Sequence, residues 1–313
     1  MKKYLFKRLL TSFITWFLIL VLIFVLVRIM PGNPFNDAKM SAEQIEMKRQ
    51  SLGLNDPVVV QLFNYLKKIL HGDLGNGTSL YNGVPIKTVL GPALLNSLKI
   101  GGVAVILGVG LGMLLGTLAA FYKGKAIDHI CTVISIIGVC VPSYIFLIYF
   151  QQLFVYKLRL LPVFFDSSRW WSSVVLPALS MSLFSMSTIM KFTREQMIEV
   201  LMSDFIKLVK AKGVTGSKLI FNHVLRNALV PIITVIAPIV VDLLMGSSLI
   251  EKIYGINGIG KIMVDAISGA AVDYNYVLVL GMVYTTLYIG IMLVLDLVYG
   301  LIDPRIRIAG GEK

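Results

Sequence analysis

The sequence predicts an all-α polytopic membrane protein with six transmembrane helices, and three observations carry that prediction. Of 313 residues 57% are hydrophobic and 15% charged, with a mean hydropathy of +0.81, too little polar surface to cover a soluble body of this size. Six separate runs, residues 9–29, 100–121, 130–156, 171–190, 228–250 and 276–302, reach the roughly 20 apolar residues a helix needs to cross the hydrocarbon. The short flanks of these runs are alternately rich and poor in lysine and arginine, the bias that sets orientation in a bilayer.

The first run follows Lys2, Lys3, Lys7 and Arg8 and has the layout of a signal peptide. Its length, and the lack of a small-x-small cleavage site before Pro31, predict a retained anchor. With that end inside, Lys123, Lys125 and the basic residues from Lys191 to Arg226 share its side, as do Arg305, Arg307 and Lys313. Both termini are therefore expected in the cytoplasm.

Residues 31–99 read as an extracytoplasmic helical insertion rather than a linker. A charged helix is expected over Ala42 to Leu52 and an amphipathic one over Val58 to Ile69, with Val58, Leu62, Tyr65, Leu66 and Ile69 on one stripe. Gly53 to Pro57 makes the turn between them and Gly72-Asp-Leu-Gly75 closes the second. The insertion is expected to brace the first two spans, with contact to a delivered substrate or its carrier as an added role. Domain organisation follows: residues 1–30 as flank and first span, 31–99 as the insertion, and 100–313 as the core, with a cytoplasmic coupling segment at 191–227.

Within the core, Gly108, Gly112 and Gly116 recur on one helix face, a spacing that lets another backbone approach closely. Packing inside the chain is the favoured use, a dimer face the alternative. Pro142 with Ser143, Pro177, Pro231 and Pro238 are expected to bend their spans. Asp242, deep in the fifth run, is the leading candidate for a pore-lining residue, with Met245 and Ser143 as further candidates; a buried structural hydrogen bond is the other reading of Asp242. Asp296 is expected to pair with a basic residue at its own depth.

The remaining chemistry is mostly excluded. A formal charge of +12 and a pI near 9.6 fit anionic lipid headgroups better than nucleic acid, because the basic residues are spread through short loops with no aromatic-interleaved domain. Cys131 and Cys140 imply neither a disulfide nor a metal site. His71, His129 and His223 are far apart, and Asp128-His129 and Arg194-Glu195 read as solvated loop residues. Gly255, Gly260 and Lys261 have phosphate-loop spacing, but Ile262 stands where a hydroxyl must reach magnesium. No enzyme site, metal site or bound cofactor is expected.

The segment between spans four and five is the informative exception. Asp204 to Gly213 predicts a short helix with Asp204 at its N-terminal end and Lys210 and Lys212 at its C-terminal end, the sense the helix dipole favours. Phe205, Leu208 and Val209 are expected to form its apolar face and Gly213 to end it. Such a helix could lie on the membrane or dock into a groove on a partner.

Together, Asp204-Phe-Ile-Lys-Leu-Val-Lys-Ala-Lys-Gly213 and Asn222-His-Val-Leu-Arg-Asn-Ala-Leu-Val-Pro231 resemble the signature of permease subunits of binding-protein-dependent ABC importers. The resemblance is to the oligopeptide/dipeptide/nickel branch, most of all its first permease subunit. Further matches are Pro31-Gly-Asn-Pro34, Leu52-Gly-Leu54 with Asp56-Pro57 and Gln61, Gly72-Asp-Leu-Gly75, Gly255 with Gly258 and Gly260, Asp273-Tyr274 and Asp303-Pro-Arg-Ile-Arg307. The departures are Asn257 where the family commonly has proline, Phe205 where it often has tyrosine, and a more basic helix at Lys207 and Lys210.

The resemblance implies a type I ABC importer permease fold and a non-catalytic subunit of the bacterial or archaeal plasma membrane. Asp204, Lys210, Ala211 and Gly213 take the coupling role by match, Phe205, Lys207 and Leu208 complete the docking face, and Arg226, Asn227 and Pro231 support it. The implied partners are a second, similar permease chain, two cytoplasmic ATPases that use ATP and magnesium, and an extracytoplasmic substrate-binding protein or lipoprotein. The substrate class is peptide, with nickel or another small solute as the alternative; an ion-coupled secondary transporter is disfavoured because no inverted repeat or midplane ion ligand is evident.

Overall fold

A computed structural model describes residues 2–29, 41–51, 53–268 and 272–302. Pro31 to Pro34, Leu52, Asp303 to Arg307 and the side chain of Asp296 lie outside the described residues. The described chain is built of helices: α1 Lys2–Ile29, α2 Ala42–Ser51, α3 Val58–Leu70, α4 Ile86–Phe121, α5 Ala126–Cys140, α6 Ser143–Phe150, α7 Trp170–Leu201, α8 Asp204–Ala211, α9 Gly216–Leu219, α10 Arg226–Leu244, α11 Ser248–Tyr254, α12 Ile259–Ser268 and α13 Tyr274–Ile302. Five helical stretches are long and apolar enough to cross a membrane, and α5 with α6 forms a bent pair that can make a sixth.

That bent pair bears out the bend expected at Pro142 and Ser143, and it is sharp enough to divide the run at 130–156 into two helices. The chain turns by 104° between Cys140 and Ser143. Pro142 disfavours the helical region for the residue before it, and Val141 takes extended backbone at φ −94°, ψ 124°. A new helix then starts at Ser143 and loosens into a π-helical run over Gln151–Lys157. Pro177, Pro231 and Pro238 leave their helices unbroken. The fifth run is interrupted later, at Met245–Ser247, where Gly246 takes φ +77° before α11 begins.

The chain divides into two compact units, residues 1–97 with 257–293, and 98–256 with 294–313. In the first, Phe24 and Val27 of α1, Ile86 and Leu90 of α4, Ile259 and Ile262 of α12, and Tyr276 to Leu280 of α13 form one core, with Leu62 and Tyr65 of α3 packed against it. A buried carboxylate organises this unit. Asp273 Oδ2 accepts the backbone N–H groups of Thr78, Ser79 and Leu80 at 2.7, 2.8 and 2.9 Å, and Oδ1 accepts that of Tyr276 at 3.1 Å. One side chain thus caps α13 and holds the loop after α3.

In the second unit the glycine stripe packs α4 against α7. A Cβ on Gly108 would lie 3.2 Å from Ser185 Cβ, on Gly112 2.8 Å from the Met186 carbonyl, and on Gly116 2.6 Å from the Met190 carbonyl, so the stripe serves packing within the chain. Helix α7 continues without a break past Met190 to Leu201, so the first eleven residues of the segment 191–227 belong to it.

Candidate functional site

The segment expected to couple is set by α7 on one side and α10 on the other. After Leu201 the chain turns at Met202–Ser203, and Ser203 offers its carbonyl to the N–H of Ile206 at 3.1 Å as α8 begins. The helix ends in a paired bond pattern: Gly213 N–H donates to Lys210 O at 2.9 Å and Val214 N–H to Val209 O at 3.4 Å. This is a Schellman closure, which needs a left-handed residue at its second-last position. Gly213 supplies it at φ +83°, and a Cβ there would meet nothing within 4 Å. The constraint on Gly213 is therefore conformational and not one of space.

The helix is two-sided, but its faces differ from the periodicity reading. Ile206 and Val209 are the buried pair, at 0% and 8% exposure, in a core with Met197, Leu219, Val224 and Ile232. Phe205 and Leu208, expected on the same face as Val209, are 48% and 66% exposed. With two inward residues the helix is fixed to the body, and the outward apolar pair is left over. Asp204, Lys207, Lys210, Ala211 and Gly213 are also exposed. Lys207 Nζ meets Asp204 Oδ1 at 2.8 Å with both side chains in solvent, a pair of small energetic value.

The support residues lie on the other wall of the segment. A π-helical run, Ile220–Leu225, leads into α10, and Asn227 Nδ2 donates to the His223 carbonyl at 2.7 Å. The His223 ring sits 6.3 Å from that of Phe205, which links α8 to the approach to α10. Arg226 and Asn227 are exposed and Pro231 is half-buried.

Asp128 and Arg194 correct a further expectation. Asp128 is not solvated; it is 2% exposed in the first turn of α5, where its carboxylate accepts from Gly124 N–H at 2.8 Å and from both Nε and Nη2 of Arg194 on α7, the latter at 2.9 Å. The pair ties α5 to α7 where α7 heads toward α8. The signal was present in the spacing: Asp128, Cys131, Ser135 and Gly138 form one helical stripe, and all are buried.

The pore candidates are partly brought together. Ser143 and Asp242 line one cavity of about 390 Å³, with Ser185, Gly246 and Ser247, against the Val141–Pro142 corner. Asp242 is the one charged group among its described lining residues. Met245 is not in that lining; it caps α10 at the turn.

Comparison with known proteins addresses the whole chain. Residues 112–308 match the family described as "Binding-protein-dependent transport system inner membrane component", and residues 1–81 its N-terminal membrane component. The chain belongs to this family. A dipeptide transport system permease protein, DppB, of Lactococcus lactis is 35% identical over 310 residues, covering 98% of this chain and 100% of the relative. An oligopeptide transport system permease protein, OppB, of Haemophilus influenzae is 34% identical over 308 residues, covering 98% and 100%. A solved structure of the MetNI methionine ABC transporter in an inward-facing conformation matches with a TM-score of 0.57 at 14% identity, over 70% of this chain and 98% of the other. As an inner membrane component the chain shares the ABC importer permease fold, and its long apolar helices make it a multi-pass membrane protein.

Proposed function

We propose that this permease subunit forms half of the translocation pathway of an ATP-driven importer for dipeptides or oligopeptides. Identity with peptide permeases over their full length supports the substrate class. The observation that carries the coupling reading is the two-sided α8: Ile206 and Val209 anchor it while Phe205, Leu208 and the lysines around them remain open. An anchored helix with a free apolar and basic face transmits a partner's motion to α7 and α10 as a lever, without deforming first.

In this reading α8 docks onto a cytoplasmic ATPase. A second, similar permease chain supplies the other half of the pathway, and an extracytoplasmic binding protein delivers the peptide. ATP and magnesium act in the ATPase subunits, and closure of these subunits draws the two coupling helices together and opens the pathway outward. Hydrolysis resets it. The contribution of this chain is conformational, with the Asp242 and Ser143 cavity as part of the route and both termini in the cytoplasm of a bacterial or archaeal cell.

Ala211→Glu places a charge on the docking face, and Gly213→Glu adds left-handed strain at the helix end. Both should release the ATPase from the detergent-extracted complex. Full retention in both variants overturns the docking assignment. For substrate class, deletion of the gene should abolish uptake of labelled peptide and leave nickel uptake unchanged; the opposite pattern refutes the peptide reading.

A further inference from the structure

The first unit holds a second polar cavity that neither the coupling helix nor the Asp242 site uses. It has a volume of about 100 Å³ and lies among the end of α1, α3, the loop at 73–78 and the start of α13. Four polar atoms of its lining residues are buried with no hydrogen-bond partner among the described residues: Arg28 Nε, Gln61 Oε1, the Tyr65 hydroxyl and Thr78 Oγ1. Thr78 is 9% exposed, and its backbone N–H is already committed to Asp273. Its hydroxyl is therefore held in a wall that does not satisfy it.

Charge points the same way: the charged residues of the described lining are Arg28, Lys68 and Asp73, a net positive set. The Arg28 guanidinium lies 5.1 Å above the Phe24 ring, and no carboxylate among the described residues is within ion-pair distance of it. Arginine cannot shed its proton, and a partly buried cation is stabilised by a counter-charge that hydrogen-bonds to it. Lys68 in the same lining adds a second positive charge, and Asp73, whose carboxylate accepts from Gly75 N–H at 2.9 Å, supplies the one negative charge among the described lining residues. Burial pushes the Tyr65 hydroxyl well above its ordinary titration range, so it remains a donor. The space takes about three waters, which would satisfy the orphaned atoms but not the charge. A carboxylate with one water satisfies both.

We propose that this cavity is a carboxylate-binding site, in which Arg28, Tyr65 and Thr78 donate to the carboxylate oxygens and Gln61 Oε1 accepts from an accompanying water. The carboxylate comes from a small free acid or from the C-terminus of a delivered peptide, and only the second source rests on the peptide-import reading. The site is tested by equilibrium binding to the assembled transporter, with no transport measured, so its failure is separate from failure of that reading.

Titration calorimetry with acetate should give saturable binding to the wild type that chloride at equal ionic strength does not reproduce. Tyr65→Phe and Thr78→Val each remove one hydroxyl at almost constant shape and should weaken acetate by about tenfold, while Arg28→Gln should abolish it. Displacement of acetate by a peptide but not by its C-terminal amide identifies the peptide terminus as the source; displacement by neither identifies a free acid. No acetate binding to the wild type, an equal response to chloride, or unchanged affinity in both hydroxyl variants overturns the site.

Discussion

Asp273 and Asp128 are both buried carboxylates that hold the described chain together, and they do so by different chemistry. Asp273 holds four backbone N–H groups with no cation close by in the described hydrogen bonds. Asp128 is neutralised by Arg194 on a neighbouring helix. Asp273→Asn turns an acceptor that serves backbone donors into a group whose own N–H₂ faces some of them, so at least one bond becomes a repulsion. The expected cost is about 2–4 kcal/mol, read as a lower thermal unfolding midpoint of the detergent-purified subunit. Stability equal to wild type would show that water replaces the lost acceptor. The sequence singled out Asp273 only as part of a motif, because a capping role depends on which loop arrives opposite it, and residues 78–80 are remote in the chain.

Helix α8 shows how far pattern alone can go. Its extent, its charge polarity and the stop at Gly213 were legible, since dipole and end signals are local. Which apolar residues face inward was not. On a short helix Phe205, Leu208 and Val209 fit one stripe, and Ile206 with Val209 fits another; packing against Leu219 and Val224 selects the second. The two faces are separable by mutation. Ile206→Ala should destabilise the subunit by about 2–5 kcal/mol through the cavity it leaves, and Leu208→Ala should stay within about 0.5 kcal/mol of wild type while weakening ATPase retention. Equal loss of stability in both would place Leu208 in the core as well.

The glycine stripe of α4 makes the complementary point. Close approach of a second helix was predicted from small residues at every fourth position, but not which helix. The Met186 carbonyl stands 2.8 Å from a Cβ at Gly112, and a backbone atom cannot step aside like a side-chain tip. Gly112→Val should cost about 1–3 kcal/mol or more, measured as faster heat inactivation of peptide uptake in membranes. Wild-type inactivation kinetics would mean that α7 is free to shift.

At the scale of the whole molecule, orientation rests on charge. Lysines and arginines dominate one set of short flanks, and the segment from Lys191 to Arg226 belongs to that set. A membrane-impermeant amine reagent added to intact cells should leave Lys207 and Lys210 unmodified and label them only in inverted vesicles. Labelling of both from outside intact cells would invert the topology and remove any ATPase from reach of α8.

What the sequence determined by itself was everything set by solvent and by neighbours along the chain: residence in lipid, the apolar runs, the family signature and the short polar helix between two of those runs. Hydrophobicity and capping act locally, so they can be read in one dimension. The tertiary structure decided how sharply the chain turns at Pro142, 104°, the burial of Asp128 against Arg194, the loop gathered by Asp273 and the unsatisfied pocket around Arg28. Each depends on a group far away in the chain or on a direction in space, and hydrogen bonds and ion pairs form only where the fold brings donor and acceptor within about 3 Å.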